Sequence, residues 1–210
     1  MVTNTPEGIG KRRGRPRQFD EDEVLDRAVA LLWREGPTAL SLNDLAERLN
    51  MAKPALARTF GNKDDLLTAV LRRYGERVEA GLWEAVAEAT TQQEVARTYL
   101  LHYAERLAQK PVGPATGCLL AAATEATAAS EGKVAQTTHD LNARNRLHLE
   151  HALSKVGATD ATALATFLYG QSVALAFLSR SGTDAAALRD FAERAIKGVG
   201  DRGCRNGTRT

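Results

Sequence analysis

Residues 41–67 read SLNDLAERLNMAKPALARTFGNKDDLL, and two capped helix starts bracket this stretch. Ser41 stands three residues before Asp44, and Asn62 three before Asp65, the spacing at which cap and third-position side chains satisfy each other's backbone N–H groups. Leu42, Leu45, Ala46 and Leu49 recur at helical spacing. Pro54 falls in the first turn of a short segment from Lys53 to Phe60, where its missing N–H costs nothing, and Gly61 closes that segment. The pattern predicts a helix over 42–49, a turn at Asn50-Met51-Ala52 and a helix over 53–60: a helix-turn-helix. In such a motif the first helix lies across a DNA backbone and the second enters the major groove.

The same reading extends outward. Asp20 with Glu23 starts a helix over 21–35, whose buried stripe is Val24, Ala28, Leu31 and Leu32 and whose end is Gly36-Pro37. Downstream, helices are expected over 63–89 (bending near Gly75 or Gly81), from Thr91 to about 109, and over 118–129, 131–156, 160–179 and 184–196, with a loop at 111–116. The fold class is therefore all-α with about nine helices: a three-helix head over 18–64 and a larger helical body over 65–198. A basic arm over 1–17 and a disordered tail over 199–210 flank them.

Composition sets limits. The chain has 210 residues, 43% hydrophobic and 26% charged, ordinary for a globular protein. No uninterrupted apolar run approaches the ~18 residues of a membrane span, so no membrane association is expected. The polar, basic N-terminus has no apolar segment behind it, unlike a secretory signal. Cys118 and Cys204 lack metal-type spacing and suit a reducing cytoplasm. The formal net charge of +2 hides a local excess: residues 10–19, GKRRGRPRQF, carry five basic groups and no acid. Such a cluster suits an anionic partner, and its bland alternative is a solvated tail.

The segments GRPRQFDEDEVLDRAVALLWREG (14–36) and SLNDLAERLNMAKPALARTFGNKDDLL (41–67) together resemble the DNA-binding domain of TetR-family regulators over residues 14 to 70. The resemblance implies a three-helix DNA-binding head, a helical effector-binding body and a homodimer. Two positions depart from the family pattern. Ala57 stands where an aromatic residue, most often Tyr, supports a phosphate contact, and Ala52 where Ser or Thr often caps the recognition helix. Both departures bear on the affinity and geometry of DNA binding, not on the fold.

Roles on DNA follow from side-chain chemistry. Arg58 has the fork for guanine O6 and N7, Lys53 can reach a phosphate or a guanine edge, and Pro54, Ala55 or Thr59 can pack on a thymine methyl. Ser41 at a helix N-terminus and Lys63 at the next suit phosphates. Arg13, Arg15 and Arg17 form an arm for a minor groove or a non-specific tether.

In the body, Trp83, Tyr99, His102, Tyr103, Phe167 and Gln171 bring aromatic and polar groups together where the resemblance implies an effector pocket; plain core packing is the alternative for each. The expected effector is small and mostly apolar. The segment 160–179 is apolar nearly all round and must be covered on both sides, so the last two helices are expected to form the dimer seam through Leu164, Phe167, Leu168, Leu175, Leu188, Phe191 and Ala195. His148 and His151 lack an evident third ligand, so no metal is expected, and no cofactor. No Ser-His-Asp order, phosphate loop or supported carboxylate pair marks a catalytic site, so no enzyme is expected. The sequence thus points to a cytoplasmic, ligand-released repressor of operator DNA. Its rivals are an activator or ligand-independent regulator of the same fold and, outside that class, a helical-bundle carrier or enzyme.

Overall fold

The computed structural model describes residues 19–109 and 117–200, and every element in it is helical. The head consists of α1 (Glu21–Glu35), α2 (Leu42–Arg48) and α3 (Lys53–Phe60). The local signals act as read: Asp20 Oδ1 accepts from the Asp22 N–H, and both Ser41 and Asn62 form complete capping boxes with Asp44 and Asp65. The leucines and valines of α1 and α2, with Leu56 of α3, then close a small core against α4 (Lys63–Glu79).

The helix expected over 63–89 is two helices. After α4, Ala80 leaves helical geometry and Gly81 turns left-handed at φ +72°, a conformation that glycine adopts without steric cost, so the chain restarts as α5 (Leu82–Ala87). Ten helices, not nine, are therefore present among the described residues: α6 (Gln92–Ala108), α7 (Leu119–Ala126), α8 (Lys133–Lys155), α9 (Ala161–Arg180) and α10 (Ala185–Gly200) complete the body. The last helix runs four residues past the expected Ile196, because Val199 is buried and its carbonyl accepts from Gln92 of α6. The arm with Arg13, Arg15 and Arg17, the 111–116 loop and residues 201–210 of the tail lie outside the described residues.

In the body α6 is enclosed by α5, α8, α9 and α10, and α4 passes from the head along α8 and α7. Buried Tyr99 and Leu100 of α6 sit at the centre of one core continuous from Val24 in α1 to Val199 in α10. α9 is 20 residues long with a mean hydropathy of 1.5, long and apolar enough by length and composition to cross a membrane, which the run-length expectation did not foresee. Its packing on α6, α8 and α10 ties it into this core.

Candidate nucleic-acid interface and helical body

The turn between α2 and α3 is built by Asn50. At φ 55° it takes the left-handed conformation that Asn tolerates, and the Met51 N–H then reaches back to the Ala46 carbonyl at 2.9 Å. This ends α2 and aims α3 outward. Arg27 of α1 fixes the same corner by donating to the Leu49 carbonyl at 2.9 Å. Leu56, fully buried, anchors α3 from beneath.

What α3 presents follows from that anchor. Lys53, Pro54 and Arg58 are exposed, while Ala55, Ala57 and Thr59 are half-buried along its flanks. Pro54 and Arg58, one turn apart, share its outward face. Ala52 offers no side-chain cap, leaving the first N–H groups of α3 to other partners. Ser41 is exposed at the α2 N-terminus, where its hydroxyl donates to Asp44 at 2.7 Å and accepts from the Asp44 N–H at 3.2 Å. The hydroxyl's bond, with one from the Ser41 N–H at 2.8 Å, holds the Asp44 carboxyl below the usual Asp range. Lys63 does not extend freely: its ammonium donates to the Thr38 carbonyl at 3.2 Å, bracing the start of α4 against the α1–α2 turn.

Several positioning residues carry no motif in the sequence. Arg73 of α4 holds Asp26 of α1 at 2.8 Å, and Arg77 stands 3.3 Å from the same carboxylate, which is held below its ordinary value chiefly by the Arg73 hydrogen bond. Lys133 of α8 pairs with Asp65, the partner of the α4 cap. Trp33 of α1 donates from its indole to the Gly117 carbonyl at 3.0 Å. The sequence signal for that last bond is general: a half-buried indole needs an acceptor.

In the body, three of the six aromatic and polar candidates make one cluster. Trp83 stacks on Tyr99 at 6.0 Å, Tyr99 meets Tyr103 at 4.9 Å, and the Tyr99 hydroxyl bonds Ser172 of α9 at 3.1 Å. His102 borders the cluster and bonds the Val78 carbonyl at 2.7 Å; burial lowers its pKa and favours the neutral ring. The opening beside Tyr103 measures about 10 Å³, room for one water. Phe167 lies elsewhere, in a cleft of about 150 Å³ with Gln92, Asp160 and Val199, and Gln171 is half-buried on α9 outside the aromatic cluster. His148 meets Trp83 edge-on at 4.7 Å.

The seam residues divide in the same way. Leu168, Leu175 and Leu188 are fully enclosed within one chain, facing α6, and have no surface to offer a partner. Leu164, Phe167, Phe191 and Ala195 are half-buried. The exposed face of α9 is instead Ala163, Thr166, Gly170, Val173 and Phe177, with Val173 41% and Phe177 69% exposed. Apolarity on every face showed that α9 must be covered; only the neighbouring helices show which face remains open.

The sequence profile described as bacterial regulatory proteins, tetR family, matches residues 24–70, which run from α1 into the first half of α4. Across nearly the whole chain, the HTH-type transcriptional repressor ComR of Escherichia coli (strain K12) is 29% identical over 206 residues, 94% of this chain and 97% of that protein. The HTH-type transcriptional activator FasR of Mycolicibacterium smegmatis is 29% identical over 87 residues, 40% of each chain. Among solved structures, the TetR-family regulator CifR, in a cysteine-mutant form complexed with a 26-base-pair operator duplex, superposes with a TM-score of 0.77 at 23% identity, covering 89% of this chain and all of that one. A TetR-family regulator from Streptomyces coelicolor gives 0.71 at 16% identity over 85% of this chain and 94% of that one. The head and the full-length likeness agree with the helix order: residues 24–70 match the tetR-family profile, and over nearly its whole length the chain is similar to HTH-type transcriptional regulators.

Proposed function

We propose that the chain is a homodimeric repressor that reads a near-palindromic operator with α3 and leaves it when a small, mostly apolar effector binds the body. The observation that carries the DNA limb is α3 itself, rigidly anchored by Leu56 and the Asn50 turn, with Arg58 exposed beside Lys53 and Pro54. Arg58 reads a guanine edge, Ser41 and the α2 N-terminus hold a phosphate, and Lys63 stiffens the α4 start beside it. Arg13, Arg15 and Arg17 add affinity with little sequence choice. The choice of repression is supported by the full-length likeness to a protein named a repressor. The setting is the cytoplasm.

The dimer limb rests on the open face of α9. Gly170 and Ala163 let a second helix approach closely while Val173 and Phe177 supply apolar contact. A bilayer is the poorer occupant, since inserting α9 would mean unpacking α6, α8 and α10 from Leu168 and Leu175. A second copy covers that face and leaves each core intact. The effector limb rests on the Trp83–Tyr99–Tyr103 cluster, which must part to admit a ligand.

Two variants test the reading. Arg58→Ala should lose about 1–3 kcal/mol on the best selected duplex and relax its base preference, while deletion of residues 1–17 should weaken all duplexes alike and flatten the salt dependence. Uniform weakening by Arg58→Ala in titrations across sequences would remove the base-reading role.

A further inference from the structure

The last turn of α9 grips both ends of the connection between α6 and α7. Ser179 Oγ donates to the Leu107 carbonyl at 3.1 Å, near the end of α6, and an Arg180 guanidinium N–H donates to the Cys118 carbonyl at 3.3 Å, at the start of α7. Gly117 is pressed against the same turn. Its φ is +78°, and a Cβ there would stand 2.9 Å from the Ala176 carbonyl oxygen and 3.3 Å from Arg180 Cβ. No other residue fits both the conformation and the space.

The head reaches this peptide from the other side. Trp33 of α1 donates to the Gly117 carbonyl at 3.0 Å, and its ring meets Tyr74 of α4 edge-on at 5.9 Å. The space among Trp33, Tyr74, Tyr103, Gly117 and Cys118 holds about 10 Å³, room for one water beside the indole. One peptide therefore joins α1 of the head to the end of α9, independently of the path along α4. Phe177, the residue after Ala176, carries the exposed face of α9.

We propose that the Gly117–Cys118 peptide is a conformational relay that passes the position of the α9 C-terminal turn to α1 and so sets the tilt of the DNA-binding head. Ala176 and Arg180 fix the peptide on one side and the Trp33 indole reads it on the other. A shift of the α9 end by about 1–2 Å, the scale of helix shifts at interfaces, moves the Gly117 carbonyl and with it α1, or breaks the indole bond and frees the head. The α9-to-head link needs no partner. Its control by the second copy rests on the dimer reading above.

A thermodynamic cycle decides whether this is coupling or only proximity. The full-length chain, Trp33→Phe, Arg180→Ala and the double variant are titrated with the duplex that the unaltered chain selects from a random pool. Trp33→Phe keeps a ring in place and deletes the donor; Arg180→Ala deletes the grip on Cys118. Each single change should weaken binding by about 5–10-fold, within the range of allosteric couplings, and the double should be no weaker than the weaker single. In a Trp83→Phe background Trp33 is the remaining tryptophan of the two in the chain. There, Arg180→Ala should move its emission in the absence of DNA, and Arg180→Lys should restore part of the shift. Losses that add in the double variant, or an emission that Arg180→Ala leaves unmoved, overturn the relay. If Trp33→Phe fails to fold, the emission arm decides alone. Light scattering on every variant separates the two readings: a chain that is a monomer throughout and still shows the shift supports the relay and sinks the dimer.

Discussion

The head and the body use polar side chains in different ways. In the head they stand at helix ends and on the surface: Asp20, Ser41 and Asn62 cap, and Arg73 and Arg77 bind Asp26 across an open seam between α1 and α4. The body has caps too, at Thr91 and Asp160, but it also carries polar side chains into the interior. Thr137, Thr138, Asn142 and Asn145 of α8 and Ser172 and Ser179 of α9 are all buried, and Asn145 Oδ1 and Thr68 Oγ1 (α4) find no hydrogen-bond partner among the described residues. Caps act within one turn of chain and yield a rigid, locally specified reader. A buried polar group without a partner weakens the drive to pack solidly, which suits the proposed release by an effector.

The contrast can be broken most severely at Tyr99. Tyr99→Ala should cost about 3–5 kcal/mol of stability in denaturant unfolding, since it empties the centre of the body and removes the hydroxyl that ties α6 to Ser172 of α9. A loss under 1 kcal/mol would mean that the body is already loose there. Phe177→Glu should leave a single chain's fold intact, because the ring is exposed, yet produce a monomer by light scattering and lower operator affinity by about 100-fold or more as two tethered heads become one. An unchanged mass would move the seam elsewhere.

Smaller changes sharpen the head's side. Ser41→Ala removes one cap from a surface helix and should cost about 1 kcal/mol in thermal unfolding without altering the molecular mass. The smallest effect is electrostatic. Asp65 is held below its ordinary value, first by the Lys133 hydrogen bond and then by the Asn62 N–H. Its contribution is thus complete above the unfolded Asp pKa of about 3.9 and is lost as pH falls from there toward the lowered value. Melting curves of Asp65→Asn should decline less steeply than the unaltered chain below about pH 4. Parallel curves would show that the Lys133 pair does not fasten α8 to α4.

What was legible in the sequence follows the same division. The helices over 21–35 and 53–60 fall where Asp20, Gly36, Pro54 and Gly61 place them, because caps and breakers act on adjacent residues. The sequence around Gly81 shows no more than a bend, since a glycine in a helical pattern does not reveal its φ until the packing of Leu82 and Val86 requires the turn. On α9 the apolar pattern was plain, but Leu168 and Leu175 face α6 while Val173 and Phe177 face outward, a distinction made by neighbours far along the chain. The Gly117 junction was not legible at all: it joins Trp33 to a residue 84 positions away, and nothing local to either residue points to the other.

Under the proposed function, two α3 helices held by a symmetric α9 seam read successive major grooves. Selection of bound duplexes from a random pool by the full-length chain tests it most directly. The predicted result is an inverted repeat whose half-site centres lie one helical turn, about 10 base pairs or ~34 Å, or a whole multiple of it apart, and whose strongest position is a guanine that Arg58→Ala no longer prefers. A lone half-site, or enrichment of no sequence, would contradict it.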